Sequence, residues 1–104
     1  MHKGEIWWAD LPKPAGRRPV LILTRDEAVR VRDRVTIAEL TTYVRHISTE
    51  VILKKEDGLP KECAVNLDVI NTVPKTLLTG YIVSLGYEKQ QVVEQALKFA
   101  LDLS

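Results

Sequence analysis

Gly16-Arg17-Arg18-Pro19-Val20-Leu21-Ile22-Leu23-Thr24 is the stretch on which the reading of the chain turns. Pro19 fixes its own φ and biases Arg18 toward extended geometry. The unbroken apolar run Val20 to Leu23 reads as a largely buried strand. Two adjacent guanidiniums are thus predicted where a loop becomes a rigid element. An arginine offers five donors in a flat fork, a good match to phosphate. Taken alone, such a pair is more often a solvated strand start than a binding site.

Upstream, Pro12-Lys13-Pro14-Ala15-Gly16 excludes both helix and strand and reads as a short, stiff loop. It gathers Lys13, Arg17 and Arg18 into a small basic edge. Before it, Gly4 to Leu11 has strand chemistry, with Ile6, Trp7 and Trp8 suited to a pleated surface and Pro12 ending the run. A period of two puts Ile6 and Trp8 on one face and Glu5 and Trp7 on the other. One tryptophan is then core and the other partly open, unless neighbouring elements bury both.

Downstream, Arg25 to Arg30 is a loop or a single helical turn. Arg34 to Thr41, Glu50 to Lys54 and Cys63 to Ile70 read as strands, with Glu56 to Pro60 a turn built on Asp57-Gly58. Thr72 to Gly80 carries the marks of a short helix: Thr72 as cap, Pro74 in the first turn, Gly80 as terminator. Tyr81 to Ser84 returns to strand. From Glu88 to Leu103 the period becomes helical, with Val92, Val93, Ala96, Leu97, Ala100 and Leu101 forming an apolar stripe. Glu94 and Lys98 are spaced for an i, i+4 pair.

Five or six strands joined by short connections cannot be parallel neighbours. The predicted fold is therefore α+β: a curved, mainly antiparallel sheet half-closed into a small barrel, with a terminal amphipathic helix over one opening or flank. The 104 residues suit one domain spanning 1–104. A net charge of +1 excludes a general polyelectrolyte binder, so any nucleic-acid contact must come from local clustering. No stretch reads as a signal peptide or a membrane span, and the lone Cys63 fits a reducing cytoplasm. Cys63 reads as a small buried apolar group rather than a nucleophile. No Cys/His set has metal spacing, and His2 and His46 stand alone as loop residues.

Several segments, in order, resemble the MazF/PemK/Kid-type toxins of bacterial toxin–antitoxin systems. They are Lys3 to Leu11, Arg18-Pro19-Val20-Leu21-Ile22-Leu23, Leu40-Thr41, Glu62 to Val73 and the closing helix from Glu88. The resemblance implies an SH3-like barrel, a homodimer, and endoribonuclease activity on single-stranded mRNA that needs no metal or other cofactor. It also implies inhibition by a cognate antitoxin whose disordered tail folds across the toxin. The family's catalytic arginine and threonine fall on Arg18 and Thr41, with Thr42 as a stand-in or helper. One departure stands out. Members often carry a longer first loop with a Gly-Ser-Glu-type segment before the arginine; here Pro12 to Arg17 has neither serine nor glutamate. The base preference, and the acid–base role of that glutamate, are left open.

The implied chemistry uses the RNA's own 2′-hydroxyl as nucleophile. The protein must align it, stabilise a dianionic phosphorane-like state and manage protons. Arg18 is cast as charge clamp and Thr41 as a hydroxyl donor to the same phosphate. Lys13, Arg17 and Thr42 are candidate RNA contacts, and Asp68 and Asn71 candidate readers of base edges. An exposed tryptophan or Tyr43 offers a stacking surface. Two alternatives keep the fold and drop the chemistry: a CcdB-like toxin that binds gyrase through its terminal helix, and a non-enzymatic SH3-like interaction module.

Overall fold

Six antiparallel strands form one sheet in the computed structural model, which describes residues 1–104. In chain order the elements are β1 (Glu5–Asp10), β2 (Arg17–Ile22), α1 (Asp26–Val31), β3 (Arg34–Thr41), β4 (Glu50–Leu53), β5 (Cys63–Pro74), β6 (Leu78–Ser84) and α2 (Tyr87–Leu101). The spatial order is β4-β5-β3-β2-β1-β6. The sheet curls into a half-barrel, bringing the turn after β4 against the opposite edge strand. A Cβ on Gly58 would meet Val83 of β6 at 2.6 Å, and Gly58 has φ +93°, so glycine is required there on both counts.

The apolar run of β2 is unbroken because both faces of the sheet are covered. Leu21 packs into a cluster with Ile6, Leu40, Leu53 and Val65, capped by Val93 and Ala96 of α2. Val20 and Ile22 point the other way, into a second cluster with Val35, Ile37, Val73 and Leu78, reached by Val29 of α1. At about 25 cal/mol per Å² of apolar surface, each fully buried Leu or Ile contributes on the order of 2 kcal/mol. The strand carrying the two arginines is therefore rigid.

Three expectations need correction. Thr72 to Gly80 is not a helix. β5 continues through Pro74, only Lys75–Leu77 makes a 3₁₀ turn, and Leu78 opens β6. Thr72 and Val73 pair with Thr36 and Val35 of the long β3, and the Thr36 and Thr72 hydroxyls bond at 2.7 Å. Ladder pairing and burial of Val73 overrode the local capping signals. On α2, Val93 and Ala96 are buried but Val92 and Leu101 are about half exposed, so the packed stripe is narrower than the period suggests. Glu94 turns to Lys3 (3.4 Å) rather than Lys98, because the β1 approach runs alongside the helix.

Other expectations stand. Asp26–Val31 is a short helix, within the range foreseen for that segment. The tryptophans divide as one inner and one open: Trp7 packs against the second cluster and edge-on to Tyr81, while Trp8 faces outward. Both histidines are exposed.

Candidate active site

Arg17 and Arg18 part company at the first residues of β2, because successive strand side chains point to opposite faces. Arg17 turns to the outer face. Its Nη1 lies 3.3 Å from Asp10 Oδ1 and donates to Thr79 Oγ1 at 3.2 Å, and its guanidinium covers the Trp8 ring at 4.8 Å. Arg18 turns to the other face. Its Nε donates to the Ala15 carbonyl at 3.2 Å and its Nη1 to Glu39 Oε1 at 3.1 Å. The doubly cationic site read from the sequence does not form; one arginine is kept for each face.

Arg18 opens onto a cleft of about 290 Å³ lined also by Glu39, Thr41, Tyr43, Arg45, Asn66 and Val69. Glu39 and Thr41 lie two residues apart on β3 and so share a face. Thr41 is half-buried and its Oγ1 accepts the Tyr43 N–H at 3.1 Å, which orients the hydroxyl and leaves its proton to be donated. Tyr43 itself is 73% exposed at the rim. A bulge in β5 shapes the far wall: Ala38 pairs with Ile70 and Glu39 with Asn66, so three residues loop out between them. The displaced segment brings Val69 to the cleft, and Asn66 Oδ1 pins it by accepting the Asp68 N–H.

The second guanidinium of the cleft is Arg45, on the loop after β3. The fully buried Glu50 carboxylate accepts both its backbone N–H (2.9 Å) and its Nε (2.7 Å). A buried carboxylate is tolerable only when paired and bonded in this way, and the pairing fixes Arg45 with its Nη groups free for a ligand.

The structure thus brings Arg18 and Thr41 into one cleft, with Thr42 exposed immediately beyond. It does not gather the remaining candidates there. Lys13 is exposed on the β1–β2 loop, and Arg17 is on the outer face. Asp68 is exposed but its carboxylate accepts the Thr49 hydroxyl, and Asn71 is exposed opposite Ile37, past the bulge. Sequence reasoning missed Glu39, Arg45 and Asn66. Glu39 had an available signal, being two residues before Thr41 in a strand otherwise apolar on alternate positions. Arg45 and Asn66 had none, since a loop and a bulge place them. Cys63 is buried, and burial, then Asp57 and Glu62, push its thiol up from its ordinary value, which leaves it an inert core group.

No group of three or more His, Cys, Asp or Glu is placed to hold a metal ion. No helix is long and apolar enough to cross a membrane.

Residues 2–101 match the family described as PemK-like, MazF-like toxin of type II toxin-antitoxin system. A relative in Mycobacterium tuberculosis (strain ATCC 25618 / H37Rv), "Probable endoribonuclease MazF5", is 35% identical over 103 residues, covering 98% of this chain and 94% of its own length. Among solved structures, "Mycobacterium tuberculosis toxin MazF-mt6" superposes with TM-score 0.88 at 34% identity, over 96% of this chain and 98% of that one. "Endoribonuclease in complex with its cognate antitoxin from Mycobacterial species" superposes with TM-score 0.90 at 30% identity, over 100% and 97% of the two chains.

Proposed function

The chain belongs to the PemK-like, MazF-like toxin family of type II toxin–antitoxin systems, and from that premise we propose that it is an endoribonuclease that cuts single-stranded RNA at the Arg18–Thr41 cleft. The observation that carries the site assignment is the convergence of those two side chains, from different strands, on one open cleft of suitable charge. The relatives named as endoribonucleases favour this reading over gyrase binding or a non-enzymatic module.

Two of the five Arg18 N–H donors are engaged with Ala15 and Glu39, leaving three for the non-bridging oxygens of a scissile phosphate. A preorganised guanidinium stabilises the charge that develops as the 2′-oxygen attacks phosphorus. Thr41 donates its hydroxyl to the same phosphate. Arg45 holds a neighbouring phosphate, and Tyr43 stacks a base at the rim, a contact worth about 1–3 kcal/mol. Thr42 adds a polar contact beside Thr41. Lys13 and Arg17 attract the strand from the rim and the outer face, and Asp68 and Asn71 flank its path along β5. The products are a 2′,3′-cyclic phosphate and a 5′-hydroxyl, formed without a metal ion.

The protein partner is a cognate antitoxin, by analogy with the relative solved in such a complex. A second copy of the chain covers the apolar side chains that α2 and the residues after it leave exposed, Val92, Phe99, Leu101 and Leu103. The site of action is the cytoplasm, where the RNA substrate resides.

The test is incubation of the purified protein with a long RNA in EDTA, followed by mapping of the new ends. Discrete cuts bearing 2′,3′-cyclic phosphates, absent with Arg18→Ala, are expected. Degradation that Arg18→Ala leaves unchanged would overturn the assignment. Sedimentation at micromolar concentration checks the dimer.

A further inference from the structure

Cleavage by a 2′-hydroxyl requires a group to take that hydroxyl's proton, and the cleft holds one side chain equipped to do so. Arg18 and Arg45 are cations without a free lone pair, while the Thr41 and Tyr43 hydroxyls and the Asn66 amide are poor proton acceptors. The remaining polar side chain is Glu39. None of the neighbouring carboxylates lines the cleft. Asp10 bonds Arg17 on the outer face, Asp68 accepts from Thr49, and Glu50 is buried against Arg45. The first loop, Pro12 to Gly16, contains no carboxylate at all.

We propose that Glu39 is the general base of this chain; the proposal rests on the endoribonuclease reading of the Arg18–Thr41 cleft. Glu39 projects from β3 to the face that carries Thr41, and its Oε1 is anchored by Arg18 Nη1 at 3.1 Å. That contact leaves Oε2 for the substrate, in a side chain 19% exposed and therefore reachable from the cleft. One guanidinium consequently fixes both partners of the reaction, the base through Nη1 and the phosphate through its remaining donors. In the step itself, the proton of the 2′-hydroxyl passes to Glu39 Oε2 as the O2′–P bond forms. The P–O5′ bond breaks with its electron pair going to O5′, which takes a proton from water. The hydroxide so formed is neutralised by the proton that Glu39 releases.

The experiment compares the full-length wild-type protein with Glu39→Gln and Glu39→Asp on one RNA substrate in EDTA. Single-turnover cleavage and RNA binding are measured separately across pH. Glutamine preserves an acceptor for Arg18 Nη1 and the shape of the side chain but cannot take the proton. Glu39→Gln is expected to slow cleavage by about 10²–10⁴-fold with RNA binding undiminished. It should also abolish the fall in rate on the acid side of the wild-type profile. The charged and titratable groups that line the cleft with Glu39 are Arg18 from β2 and Tyr43 and Arg45 from the loop after β3. Glu39→Asp should retain the acid limb at a reduced rate, which serves as the readout if the glutamine variant fails to fold. Cleavage by Glu39→Gln within a few-fold of wild type, or an acid limb unchanged in it, would overturn the proposal. So would a loss accounted for wholly by weaker binding, which would make Glu39 a positioning residue for Arg18. A wild-type protein that cuts no RNA would sink the nuclease reading itself, an outcome distinct from the others.

Discussion

Two arginines adjacent in sequence meet opposite fates. Arg17 lies on the outer face, 55% exposed, with an aspartate, a threonine and a tryptophan ring as partners. Arg18 is 33% exposed, tethered through a backbone carbonyl and a single carboxylate, and opens on a cleft that holds a second guanidinium and an oriented hydroxyl. Their net charges are equal; their surroundings are not. An exposed pair such as Arg17–Asp10 contributes little, about 0–1 kcal/mol. A part-buried, fixed guanidinium facing an open cleft is the arrangement from which electrostatic stabilisation of a transition state is built.

The largest expected effect comes from the strand that both arginines share. Leu21→Ala leaves a cavity between the sheet and α2 and should cost about 2–5 kcal/mol in urea unfolding. Both faces should then fail together, which would show that the contrast depends on a rigid β2. Next, Arg18→Lys keeps the charge but not the fork. It should lower cleavage by about 10²-fold, because a lysine cannot hold Glu39 and a phosphate in one plane. Retention of activity would mean that charge alone suffices. Smaller still, Thr41→Val removes one neutral donor. The loss, read in single-turnover cleavage, should be about tenfold, corresponding to roughly 1.4 kcal/mol. No change would assign Thr42, the next hydroxyl, to the phosphate instead.

Much of this was legible beforehand because the chain's local signals agree with its tertiary pairing over most of its length. The Arg18-Pro19 step, the doubly buried run Val20 to Ile22 and the β3 end at Thr41 all follow from chain stiffness and hydrophobic periodicity. The failure at Thr72 to Gly80 has a definite cause. Capping chemistry is a local term of about 1 kcal/mol, and a run of β-branched residues paired against β3 outweighed it. The Glu39–Arg18 contact spans 21 positions, and the bulge that delivers Val69 depends on a register shift. Strand alternation puts Glu39 on the Thr41 face, but neither its pairing with Arg18 nor the bulge leaves a mark in a single sequence. Arg17 is no partner of Arg18 because adjacency in the chain is not adjacency in space along a strand, whose successive side chains point to opposite faces.

The most direct measurement sets Arg17→Ala beside Arg18→Ala in single-turnover cleavage of the same RNA. At saturating RNA, Arg18→Ala should lose about 10²–10³ in rate, while Arg17→Ala, which affects only attraction of the strand, stays within about threefold of wild type. Equal losses from the two variants would contradict the assignment of the chemistry to one face of the sheet.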